Sequence, residues 1–223
     1  MKQRPIDIIA DPSNKAKGIF VSSFDSAPLA PDYEFVLKNE MEALQIGFDA
    51  LSVMMEGKVH LSSKPNSSFS KIQGVIHHSF DGVHPAGNVG TQIHHIDPIN
   101  KGEFVWSINI QEVAEIGKFF ASGYINSSRK IALTGSEVTT RTYLNATRGS
   151  KMESLVKNSV EATNVRYISG NVLTGDRKEL TEYIGHYHNQ ITVIPEGNEY
   201  KFFLTSGWLG AGFDKFSNSR LFP

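Results

Sequence analysis

The sequence has no cysteine among its 223 residues, which excludes disulfides, thiolate nucleophiles, cysteine-ligated zinc and any iron–sulfur cluster held by this chain. It also lacks a surplus of either charge. Lys and Arg total 22 against 23 for Asp and Glu, so no basic excess exists to neutralise phosphates along a nucleic acid. Long apolar runs are missing as well. Runs such as Gly18-Ile19-Phe20-Val21 fall far short of the roughly 20 residues a membrane helix needs, and the start Met1-Lys2-Gln3-Arg4-Pro5 has no apolar secretory region. A cytoplasmic, soluble chain with no direct membrane span is expected. Glycine fingerprints are absent too. The segment after the first apolar run is Ser22 to Leu29, with no G-x-G-x-x-G and no Walker lysine, so a self-sufficient NAD or ATP site is not expected.

What is present is the composition of a folded protein, 39% hydrophobic and 20% charged, in 24.7 kDa. Residues 15–24 read as a buried strand, and Asp25 to Asp32 as a loop with two prolines. From Tyr33 to Met55, Leu37, Met41, Leu44, Phe48, Leu51 and Met55 recur every three or four positions. That spacing predicts one amphipathic helix, with Asp32 as its cap and Gly57 just past its end. Strands are expected over 58–63, 71–78 and 103–108. A helix is expected over 110–121 with Val113, Ile116, Phe119 and Phe120 inward. This is an α/β start. After Gly123 the order becomes strand at 129–134, strand at 141–144, short helix at 152–157 and strand at 165–169, the order of a small β-grasp module. Two alternating runs, 187–194 and 199–204, flank Pro195-Glu196-Gly197-Asn198 and predict a β-hairpin. The expected organisation is a Rossmann-like α/β domain over 1–127, a β-grasp domain with its hairpin over 128–206, and a truncated or flexible tail over 207–223. The abrupt apolar end suggests a piece of a longer subunit.

Chemistry is sparse. The turn at 81–91 is the one candidate ligand loop: Gly82, Gly87 and Gly90 permit close backbone approach, and Thr91 could cap or bind an anion beside His84 and Pro85. A tight structural turn feeding a helix explains the same residues. Adjacent histidines on a strand point to opposite faces, so of the eight histidines His186 and His188, two apart, are the pair that strand geometry would let chelate a metal. With no third ligand placed by the sequence, no metal site is expected. No catalytic constellation stands out, and no G-x-S-x-G elbow exists.

Several motifs become informative together: Phe80 to Gly87, Gly90-Thr91, Trp106 to Val113, Ile116-Gly117-Lys118, Val165 to Gly170 with Val172 to Gly175, and Gly185 to Gln190. In this order the chain resembles the NqrA-type subunits of sodium-translocating NADH:quinone oxidoreductases, from about Lys17 to Phe216. The resemblance implies a Rossmann-like domain followed by a soluble-ligand-binding β-grasp (SLBB-like) domain, similar to the flavin subunit of complex I. It also implies a peripheral subunit on the cytoplasmic side of the bacterial inner membrane, in a complex that oxidises NADH, reduces quinone and exports Na+. The integral membrane NqrB subunit would be the direct partner, with quinone at the interface. FMN, FAD, riboflavin and iron–sulfur centres would sit on other subunits. In flavin-binding relatives the loop after the first strand carries a Glu-Pro step. Here that loop is Phe24-Asp25-Ser26-Ala27-Pro28, with Ala27 in place of the glutamate, and the relatives' Glu-Glu pair after the second loop's glycine is missing. A scaffold without a cofactor is therefore expected. The alternatives are a β-grasp module that binds a soluble ligand, and a domain that still binds flavin.

Overall fold

The computed structural model describes residues 1–55 and 58–198. Two sheets organise them. The first has six strands in the order β2-β1-β6-β3-β4-β5: β1 (Lys2–Arg4), β2 (Ile8–Ile9), β3 (Ile19–Ser22), β4 (Val59–Ser63), β5 (Ile76–Ser79) and β6 (Val105–Asn109). Strands β6, β3, β4 and β5 are parallel neighbours, while β1 pairs antiparallel with both β6 and β2. Alternation along β3 divides the core. Ile19 and Val21 face the helices α2 (Met41–Met54) and α4 (Ile110–Ser122), whereas Phe20 packs on the other face with Ile93 of α3 (Val89–Ile96) and Val105 of β6. Helices α2 and α4 touch backbone to backbone. A Cβ built on Gly117 would lie 1.7 Å from the Ala43 carbonyl oxygen, and one on Gly47 would lie 2.2 Å from that of Val113.

The predicted helix over 33–55 is two helices, α1 (Tyr33–Val36) and α2, separated by a turn at 37–40. Asp32 caps α1 as expected, accepting from the Glu34 and Phe35 amides. The break has a tertiary cause. The Val36 carbonyl, which a continuous helix would offer to residue 40, accepts instead from Lys130 Nζ at 2.9 Å, while the Glu40 amide turns to Leu37. The apolar stripe stays buried nonetheless. Two further expectations are corrected, and one element is new. The strand placed at 71–78 is a 3₁₀ turn (Ser68–Lys71) followed by β5, shifted toward its C-terminal end. Phe119 and Phe120 face outward, Phe120 with 63% of its surface exposed, because at this level α4 turns Gly117 rather than the phenylalanines toward α2. The β1–β2 hairpin is absent from the sequence reading, since its strands are too short to show a period.

The second sheet has the order β10-β9-β11-β7-β8. Its strands are β7 (Ser128–Thr134), β8 (Thr142–Thr147), β9 (Val165–Ser169), β10 (Asp176–Lys178) and β11 (Gln190–Pro195). Strands β7 and β11 pair in parallel at its centre, β7 and β8 form an antiparallel pair, and α5 (Met152–Val156) contributes Met152 and Val156 to the core. This is a β-grasp arrangement after a Rossmann-like sheet, as the sequence predicts. Residues 187–189 precede β11 rather than belonging to it, and the second arm of the predicted hairpin, with Gly57 and the tail at 207–223, lies outside the described residues. The all-charged β10 carries no apolar alternation, which is why the sequence does not signal it.

Candidate functional site

Open α/β sheets place ligands in the crevice beyond the carboxyl ends of their parallel strands. Here Ser22 at the end of β3 and Asn109 at the end of β6 open into a cavity of about 570 Å³, roofed by Thr174 and Tyr187 of the second unit. The size suits a small-molecule site. Its walls are polar and of both charges: Lys2 and Arg4 reach in from β1, where both pair with Asp7, at 2.6 and 2.9 Å. These ion pairs hold the Asp7 carboxyl below its ordinary pKa, against the opposing effect of burial. Lys2 Nζ also lies 4.7 Å from the centre of the Tyr187 ring.

Of the predicted loop, Gly87, Gly90 and Thr91 line this cavity, while Gly82, His84 and Pro85 lie outside it on the exposed part of the turn. The chain itself fills the space next to both lining glycines. Ser26 Oγ accepts the Gly87 amide at 2.8 Å, and a Cβ on Gly87 would come within 2.3 Å of the Ser26 backbone nitrogen. At Gly90 the Arg4 guanidinium stands 2.8 Å from the position a Cβ would take. His84 joins the closure through Nδ1, 3.0 Å from Ser26 Oγ. Behind the loop, the fully buried Gln92 donates to Ser22 Oγ and to the Ala86 carbonyl. Ala27, at the glutamate position of the flavin-binding pattern, is buried, and the acidic side chain this loop does bring to the crevice is Asp25, whose Oδ1 accepts the Ala27 amide at 2.8 Å.

The two units are joined at the crevice floor. Tyr33 Oη accepts from Asn109 Nδ2 at 2.8 Å and from Asn189 Nδ2 at 3.1 Å, and its burial raises the phenol's pKa. Beside it, the Arg129 side chain, 2% exposed, bonds the His186 carbonyl, Asn189 Oδ1 and Glu115, with Glu112 at 3.7 Å. Arg148 reaches the same two glutamates and the His186 ring.

His186 and His188 do not share a strand face, because residues 186–188 form a turn and its exit. The His186 ring meets Arg148. His188 Nδ1 instead lies 2.8 Å from Ser169 Oγ, which also accepts the Gly185 amide. Burial lowers the pKa of both rings, helped at His186 by the Arg148 charge. No group of three or more His, Cys, Asp or Glu side chains is placed to hold a metal among the described residues. Sequence reasoning misses Lys2, Arg4 and Tyr33. The two cations come from a hairpin without periodicity, and the tyrosine's partners lie 76 and 156 residues away.

A Rossmann-like α/β unit with its crevice, joined to a β-grasp unit, defines the class. The fold is shared with the NAD+-reducing [NiFe]-hydrogenase in its H2-reduced state: TM-score 0.58 at 10% identity, covering 82% of this chain and 41% of that one. Residues 1–125 match the family model for the NqrA second alpha/beta domain, and residues 130–179 match that for the NQRA C-terminal domain. The chain belongs to the NqrA family. It is 37% identical to the corresponding (NqrA) subunit of the Na(+)-translocating NADH-quinone reductase of Vibrio alginolyticus, over all of this chain and 50% of that protein. It is likewise 37% identical to the Haemophilus influenzae subunit, over 99% of this chain and 49% of that one. The chain thus spans about half the length of these relatives. No helix among the described residues is long and apolar enough to cross a membrane.

Proposed function

We propose that this chain works as a peripheral, cytoplasm-facing part of a membrane complex that oxidises NADH, reduces quinone and exports Na+. In this reading it contributes assembly and a quinone-side interface rather than electron-transfer chemistry. The integral membrane NqrB subunit is its direct partner, and the flavins and iron–sulfur centres sit on other subunits. One observation carries the reading: the amide and the close approach that a phosphate-binding loop would offer a ligand at Gly87 are taken by Ser26 of the same chain. Arg4 packing on Gly90 and the buried Ala27 support it further. The relatives, named as subunits of a Na(+)-translocating NADH-quinone reductase, supply the reaction assigned to the complex.

The test is made on the whole complex. Membranes from cells lacking the full-length subunit are expected to lose Na+-coupled NADH:quinone reduction and to regain it when the subunit is supplied. Full coupled activity in membranes without it would overturn the reading.

A further inference from the structure

Beyond this role, a pair of imidazoles outside the crevice defines a site of another kind. Helix α3 covers the middle of the first sheet, and on the same face β4 and β5 carry His60 and His78. The register pairs Ser62 with His78 and His60 with Ile76, so the two histidines are diagonal neighbours on one face. His60 Nδ1 and His78 Nε2 stand 3.0 Å apart. The His60 ring is fixed from behind by stacking flat on Phe20, with centroids 4.5 Å apart and planes 5° from parallel. His78 is half-buried on the edge strand.

We propose that His60 and His78 form a two-imidazole site for a divalent transition metal of the copper, nickel or zinc type, with water completing the coordination. The distance carries the inference. Metal–imidazole bonds are about 2.0–2.1 Å, so two nitrogens on neighbouring coordination positions, roughly 90–110° apart, lie about 2.9–3.4 Å from each other. The observed separation is within that range, and imidazole suits these metals. Both rings are also available as neutral ligands. Burial lowers the pKa of each, and at His60 the neighbouring His78 lowers it further while Asp97 acts the other way. In the metal-free pair one ring donates its N–H to the other, and on metal binding that proton moves to the far nitrogen of its own ring. The adjacent His77 takes no part, because its Nε2 bonds the Ile72 carbonyl at 2.7 Å. Asp97, whose carboxylate acts on His60, is held by Lys17 at 2.6 Å. A bound metal would tie the edge strand β5 to β4.

The test titrates Ni2+ into the untagged, metal-stripped subunit at pH 7.5, in a background carrying His94→Gln and His95→Gln to remove the neighbouring pair on α3. One Ni2+ per chain is expected. His60→Gln or His78→Gln is expected to weaken it by at least ~tenfold, the scale found even for substitutions one shell beyond the ligands, while His77→Gln leaves it unchanged. Equal affinity in all three variants would overturn the assignment. Should His60→Gln fail to fold, electron paramagnetic resonance of the Cu2+ complex of the parent protein decides. Splitting from two imidazole nitrogens supports the site, and splitting from one or none overturns it.

Discussion

The two faces of the first sheet are built on opposite plans. Under α2 and α4 the core is apolar and continuous, and Gly47 and Gly117 let the helices meet at backbone distance. On the other face, among the described residues, one eight-residue helix, α3, shields Phe20 and Val105, leaving β4 and β5 with half-buried histidines and the crevice beyond β3 and β6 lined by charge. Packing is the task of the first face. The second keeps polar groups that packing alone does not require, and the β-grasp unit docks on α1, α4 and the end of β6 through hydrogen bonds and ion pairs.

This contrast can be broken at several points. The largest effect is expected from Arg129→Ala, which leaves Glu112 and Glu115 without their most buried partner. Loss of one side of a buried charge network costs about 3–5 kcal/mol, and denaturant unfolding measures it. A cost below about 1 kcal/mol would mean that solvent screens the junction. Next comes Gly117→Ala on the apolar face. The added methyl meets the Ala43 carbonyl rather than a flexible side chain, so about 2–3 kcal/mol of overpacking is expected from the same unfolding curves. An unchanged midpoint would refute the close helix contact. Ser26→Ala frees the Gly87 amide at the cost of about 1 kcal/mol, and a matching rise in hydrogen exchange at Gly87 would locate the loss.

The smallest effect is the pH dependence. His60, His78 and His188 have pKa values lowered by burial, so the unfolded chain binds more protons than the folded one near and below about pH 6.5. Stability is therefore expected to be full above that pH and to fall as the pH drops toward about 5, by less than about 1 kcal/mol per unit, since these rings are partly solvent-screened. Melting curves across this range and up to neutral pH read the slope, and a stability that rises on acidification would contradict the neutral, buried imidazoles.

Much of this fold is legible in local pattern. The stripe from Leu37 to Met55, the strand at Ile19 and the strand-strand-helix-strand order after Gly123 follow from spacing alone. The errors sit where distant residues intervene. Lys130 captures the Val36 carbonyl and splits a helix that its own periodicity would continue. The loop at 81–91 is marked by its glycines, yet their purpose depends on Ser26 and Arg4, far away in sequence. Histidine spacing points to His186 and His188, which a turn separates, and passes over His60 and His78, which strand register brings together across 18 residues. Period-two reasoning sees one strand at a time and cannot see a diagonal pair.

The most direct test of a glycine loop capped by its own chain is a flavin measurement on the intact subunit: an absorbance spectrum across the near-ultraviolet and visible range, then melting temperature against FMN, FAD and NADH. Ligands that bind the folded state raise that temperature by mass action. A colourless protein with no saturable shift is expected. A flavin spectrum, or a saturable shift with FMN, would contradict the capped loop and make residues 81–91 a working cofactor site.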